Sequence, residues 1–106
     1  MNNILEITST SNQHIKDLAK LKEKKYRTLY NEFIVEGYHL VNEAYKKGLV
    51  VEVLSLKKDE LLQYDNCKLV LTGAEVIKKL SDTENPQSII AICKIKRYEC
   101  DYNKTN

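Results

Sequence analysis

Two hydrophobic periods alternate along this chain. Behind the cap cluster Ser9-Thr10-Ser11-Asn12, the residues Ile15, Leu18, Ala19 and Tyr26 recur at helical spacing. This predicts a helix from Asn12 to Lys25, capped by Ser11 or Asn12. Thr28 to Asn31 then lead into a first strand, Glu32 to Glu36. A second helix, Tyr38 to Lys47, shows the stripe Leu40, Val41, Ala44 and Tyr45 and ends at Gly48, a suitable left-handed terminator. Leu49 to Leu56 is rich in β-branched residues and reads as a second strand. A helical turn over Lys58 to Gln63 precedes a third strand, Cys67 to Leu71. Thr72 or Gly73 opens a further helix that buries Val76, Ile77 and Leu80. After the polar loop Ser81 to Ser88 comes a fourth strand, Ile89 to Ile95.

The fourth strand decides the fold class. Its first five residues, Ile89-Ile-Ala-Ile-Cys93, are all apolar without alternation, so both of its faces need a cover. With helices and strands alternating on either side, the expected architecture is a three-layer α/β/α sandwich on a four-stranded sheet. Residues 1–95 form one domain in this reading. The polar, charged stretch 96–106 is expected to be a linker or a frayed end.

Composition narrows the class without naming a function. A chain of 106 residues with 42% hydrophobic and 30% charged residues suits one globular domain. No apolar run approaches the ~20 residues of a membrane span, and the first residues lack the pattern of a signal peptide. A cytoplasmic protein without membrane contact is expected. Cys67, Cys93 and Cys100 show no C-x-x-C spacing, which favours reduced thiols over a zinc site or a disulfide framework. The net charge of +2 is too small to argue for nucleic acid by itself, so the placement of charge has to carry that argument.

Three groups of residues could carry chemistry. His14 and His39 stand near the starts of different helices, and no nucleophile elbow, phosphate loop or metal motif accompanies them. They read as surface or capping residues, and the chain alone does not look like an enzyme. Lys16, Lys20, Lys24 and Arg27 step by four, four and three residues. On one continuous helix they would share an arc of roughly 80°. Such a stripe is either an ordinary solvated face or a row of RNA-phosphate contacts. Glu36-Gly37, at a strand-to-helix junction, forms the third group together with the loop residues Thr83, Asn85 and Gln87. Those three side chains suit hydrogen bonding to RNA, to a partner or to the loop's own backbone. Glu36 is expected to brace that loop from beside the positive end of the following helix, and Gly37 to permit a tight turn and a close approach.

Taken together, Ser11-Asn12, Ile15-Lys16, Leu21, Lys24-Lys25, Arg27, Phe33-Ile-Val-Glu-Gly37, Leu40-Val41, Glu43-Ala44, Gly48 and Pro86-Gln87 resemble one known module. It is the N-terminal substrate-binding domain of the SpoU/TrmH family of RNA 2′-O-ribose methyltransferases. The resemblance runs from about Ile7 to Ile95. It implies a fold like that of small ribosomal RNA-binding proteins, with a mixed sheet whose last strand is antiparallel inside it. It also implies a parent enzyme, of which this chain is a fragment. There a separate C-terminal SPOUT domain would bind S-adenosylmethionine, form a homodimer and transfer the methyl group, while this chain holds no cofactor or metal. Its partner would be RNA, in particular ribosomal RNA. Asn12, Lys16, Lys20, Lys24, Arg27, Thr83, Asn85 and Gln87 would contact that RNA. Two positions depart from the family pattern. Ser88 replaces a common glycine, which implies either strain or a different loop shape, and His39 stands where many relatives have arginine. The alternative readings are a free-standing RNA-binding protein of ribosomal type and a protein-interaction domain that touches no RNA.

Overall fold

The computed structural model describes residues 3–95, so the expected linker at 96–106 lies outside the described residues. In chain order the elements are β1 (Ile4–Glu6), α1 (Gln13–Ala19), a 3₁₀ turn (Lys20–Lys22), α2 (Lys24–Tyr30), β2 (Glu32–Glu36) and α3 (Tyr38–Lys46). They are followed by β3 (Val50–Ser55), α4 (Lys58–Leu61), β4 (Lys68–Leu71), α5 (Ala74–Leu80) and β5 (Ile89–Lys94). The sheet has five strands in the order β1-β4-β3-β5-β2. β1, β4 and β3 run parallel, whereas β5 is antiparallel to both of its neighbours, β3 and β2. The three-layer mixed sandwich is therefore as expected. The count of four strands is corrected to five. The added strand, β1, has three residues, too few to show a period-2 pattern, and only its parallel pairing with Leu69 to Leu71 makes it a strand.

Two cores lie on the two faces of the sheet. Ile15, Leu18 and Leu21 from the first helical segment meet Val76, Ile77 and Leu80 of α5 over Leu54, Val70, Ile90 and Ile92. On the other face, Val41 and Ala44 of α3 and Leu61 of α4 cover Val53, Leu69, Ile89, Ala91 and Cys93. Adjacent residues of β5 thus feed opposite cores, which is why its five apolar residues need no alternation. Leu40, expected within the buried stripe of α3, is instead 56% exposed.

The expected single helix from Asn12 to Lys25 is broken in two. Asn12 does cap α1, with its Oδ1 accepting from the amides of His14 (2.8 Å) and Ile15 (3.3 Å). After Ala19 the chain tightens to 3₁₀, whose three residues per turn keep Leu21 beneath Leu18 and in the core. At Glu23 the backbone is extended (φ −103°, ψ 135°), and α2 starts in a new direction. α2 buries no residue and runs to Tyr30, so Thr28 to Tyr30 are helical rather than a lead-in to the strand. Asn31 ends it in the left-handed region (φ 57°), a conformation asparagine tolerates. Tyr26, expected against the core, is half-exposed and stacks on Tyr30.

Cys93 is fully buried on β5, and burial pushes its thiol up to about 12. Alkylation of the native protein at mildly alkaline pH should therefore leave Cys93 unmodified, while the same reagent in denaturant labels it. Because the folded state disfavours the thiolate, this contribution to stability is complete below the unfolded thiol's pKa of ~8.5. It is lost as pH rises from there toward 12. Peptide mapping that found Cys93 labelled as fast as an exposed thiol would contradict the packing of β5.

Candidate RNA interface

The strand-to-helix junction and the 81–88 loop meet at the ends of β2 and β5. Glu36 closes β2 opposite Ile90 in register, which points its side chain toward the turn after α5. Its Oε1 accepts from the Ser81 hydroxyl at 2.7 Å, and its Oε2 accepts from the Gln87 amide at 2.7 Å and, more loosely, from the Thr83 hydroxyl at 3.5 Å. Ser81, itself buried, also accepts from the Thr83 amide at 3.0 Å. One carboxylate therefore ties together both ends of the loop. Its partners are loop groups and not the amides of α3, which its sequence position alone would suggest.

Gly37 is needed for its backbone. Its φ of +99° lies where side chains are strained, and an added Cβ would stand 3.5 Å from Cγ of Gln87. The close backbone approach expected at this glycine is not found: its neighbour is the Gln87 side chain at ordinary van der Waals distance, so the positive φ alone calls for glycine. On the opposite side of the loop, Ser88 Oγ lies 3.1 Å from each oxygen of Glu60, and Ser55 donates to the same carboxylate at 2.5 Å. Ser88 is not strained, because Asn31 and Asn66 are the positive-φ non-glycine residues among those described. The serine at this position adds an anchor to α4.

The cationic residues are distributed differently from one helical arc, since the break at Glu23 separates them. Lys16 lies on α1 and Lys20 caps its C-terminus, whereas Lys24 and Arg27 belong to α2. Lys16 and Lys24 are exposed and form no ion pair among the described residues. Lys20 Nζ lies 3.5 Å from Asp17 and 5.7 Å from the centre of the Tyr26 ring. Arg27 has a structural role, because its guanidinium donates to the carbonyl of Leu21 at 3.0 Å and ties α2 to the 3₁₀ turn.

The break brings forward a residue that lies outside the sequence stripe. Lys22 donates to the carbonyl of Lys79 at 3.1 Å and stands 3.8 Å from Asp82. With Arg27, Phe33 and Asp82 it lines a cleft between the cationic segment and the loop. Asp82 is the loop residue on its wall, and Thr83, Asn85 and Gln87 are exposed further along the same loop. Asn12 is not part of this group, because it sits at the far end of α1, roughly 10 Å of helix away. His39 is exposed on α3. Only tertiary contacts reveal Lys22; its spacing from the other cations gives no sign of it.

On the same sheet face, near the start of the central strand, Glu52 is buried on β3. A register shift between Val50 and Glu52 turns it toward α1, where His14 Nε2 lies 2.8 and 3.0 Å from its two oxygens. Lys68 Nζ is 3.4 Å from that nitrogen. Nε2 has a single proton and directs it to Glu52, so Lys68 is a neighbour and not a second partner. Among the described residues no group of three or more His, Cys, Asp and Glu side chains could hold a metal. No helix there is long and apolar enough to cross a membrane.

A mixed sheet between two helical layers, with a cationic segment facing a carboxylate-braced polar loop, defines a small α/β binding domain. Residues 12–91 match the family model of the MRM3-like substrate-binding domain. The chain belongs to that family. It is 35% identical over 91 residues to 23S rRNA (guanosine(2553)-2′-O)-methyltransferase RlmP of Bacillus subtilis, an alignment covering 83% of this chain and 37% of that enzyme. A solved RNA 2′-O ribose methyltransferase superposes with a TM-score of 0.76 at 32% identity, over 89% of this chain and 39% of that one. The AdoMet-bound rRNA methyltransferase of Sinorhizobium meliloti gives 0.74 at 25% identity, over 90% of this chain and 38% of that one. The expected resemblance to the SpoU/TrmH substrate-binding domain is borne out, and the chain spans well under half the length of these relatives.

Proposed function

We propose that this chain is the RNA-recognition domain of an S-adenosylmethionine-dependent RNA 2′-O-ribose methyltransferase that acts on ribosomal RNA in the cytoplasm. The family match over 12–91 carries this reading. The geometry supports it, since cations and a polar loop of fixed shape border one cleft. Lys16, Lys20, Lys24 and Arg27, joined by Lys22, would hold phosphates. Thr83, Asn85, Gln87 and the side-chain amide nitrogen of Asn12 would make polar contacts, with phosphate contacts positioning the RNA and polar groups reading it. Residues 1–95 form the recognition domain in this proposal. Residues 96–106 lead toward a catalytic domain that binds the cofactor and dimerises.

Binding should be salt-dependent. If about four cations each neutralise a phosphate of single-stranded RNA, log affinity falls with log salt at a slope of roughly −3. Replacing Lys20 and Lys24 by alanine together should flatten the slope by roughly 1–1.5 and weaken different RNAs about equally. An unchanged slope would return these lysines to an ordinary solvated face. The absence of binding to any RNA would favour a protein-docking role instead. Calorimetry of the chain with S-adenosylmethionine should show no saturable heat; micromolar affinity would overturn the assignment of the cofactor to another domain.

A further inference from the structure

A second cleft lies between α1 and the corner where α2 turns into β2. Its open volume is about 280 Å³, near the ~300 Å³ lower end of small-ligand pockets. Leu18 and Leu21 supply its apolar part, while His14, Asp17, Tyr30 and Glu32 supply polar and aromatic groups. These side chains differ in how far they are already committed. Glu52 fixes the imidazole of His14, and Asp17 accepts from Gln13 at 2.9 Å and pairs with Lys20. The Glu32 carboxylate has no partner among the described residues. Tyr30 is 49% exposed and stacks on Tyr26, with ring centres 6.0 Å apart and planes at 14°. Lys20 and Lys25 stand 5.7 and 5.0 Å from the Tyr26 ring, so ammonium groups flank the aromatic pair.

This combination has a definite chemistry. Cations beside a stacked tyrosine pair with Tyr30 exposed suit a single strand, whose bases stack while its phosphates meet lysines. An unpaired carboxylate inside the cleft repels phosphate and accepts hydrogen bonds only, so the group that enters must be a donor. Guanine presents two adjacent donors, N1–H and its N2 amino group, which match the two oxygens of one carboxylate. Adenine and cytosine offer an amino group beside an acceptor, and uracil offers one N–H between two carbonyls that a carboxylate repels. Resting on the RNA reading above, we propose that this cleft takes one unpaired guanine of the substrate. The base lies against Tyr30, and its N1–H and N2 amino group donate to Glu32.

The test compares short uridine oligomers with the same oligomers carrying one central guanine, adenine, cytosine or inosine. The guanine oligomer should bind about tenfold tighter than the all-uridine one, the size expected for a hydrogen-bonded pair involving a charged group. Inosine, which lacks the N2 amino group, should lose most of that gain. Glu32→Gln should bring the guanine-to-uridine ratio close to one through loss of the guanine gain, with uridine binding no weaker than in the wild type, because the substitution removes a charge that repels phosphate and the uracil carbonyls. Tyr30→Leu, on a helix that buries no residue, gives an independent readout by weakening the guanine oligomer several-fold. Equal affinity of the wild-type chain for all oligomers, with salt dependence intact, would overturn the guanine site and leave the RNA reading standing. No salt-dependent binding to any oligomer would overturn both.

Discussion

Glu36→Ala should lower the unfolding free energy by about 3 kcal/mol, and Glu36→Gln by about 1–2 kcal/mol, from the cost of losing hydrogen bonds to a charged group. The alanine variant removes the acceptor for Ser81, which is buried, and for the Gln87 amide. Water can reach Gln87 but not Ser81, so the two losses differ in size. Glutamine can still accept from the Gln87 amide. Its NH₂ group, however, then faces a hydroxyl that must turn round to receive it. Both substitutions should loosen the 81–88 loop before the core unfolds, seen as faster amide exchange at Gln87 in an otherwise native spectrum. RNA affinity should then fall together with loop order. Full stability with RNA binding abolished would show that Glu36 grips the ligand and does not brace the loop.

His14→Ala should cost about 1–3 kcal/mol, the range for leaving a buried polar group without its partner. Glu52 is 3% exposed, and the imidazole is its hydrogen-bond partner in the structure. The end of the range that applies depends on how much water enters the space the imidazole leaves, since His14 is itself one-third exposed. Replacing both residues by leucine should recover most of the loss, because two apolar side chains leave no orphaned group. A double-mutant cycle by chemical denaturation isolates the coupling. Purely additive effects would mean that the pair is in contact but not in partnership.

Much of the fold was legible in local pattern. The uninterrupted apolar run of β5 implied a strand covered on both faces, and the two cores on either side of Ile89 to Cys93 provide that cover. Gly48, expected to terminate α3, has a φ of +74°. The caps, the glycine terminator and the boundaries of the longer strands are set within a few residues, so neighbouring side chains were enough to reveal them. The resemblance to the substrate-binding domain was legible for another reason. It rests on spacings such as Lys24 to Gly37, which are properties of the chain and not of its contacts.

The arrangement of the candidate site was decided by tertiary structure. The stretch from Lys16 to Arg27, KDLAKLKEKKYR, has the propensity of one helix, yet the core holds Leu21 beneath Leu18 and the chain must return to the edge of the sheet at Glu32. The helix therefore breaks at Glu23, and the cations face different neighbours from those a single arc would give. β1 was hidden because three residues carry no periodic signal and gain strand character only from β4. Glu36 stood out by its position, but its partners lie 45 to 51 residues away in sequence, and no local rule selects them. Local sequence thus set which segments are helix or strand, through propensity and period. Long-range packing determined where the chain breaks and which polar groups face each other, because burial and hydrogen-bond satisfaction are settled only between elements.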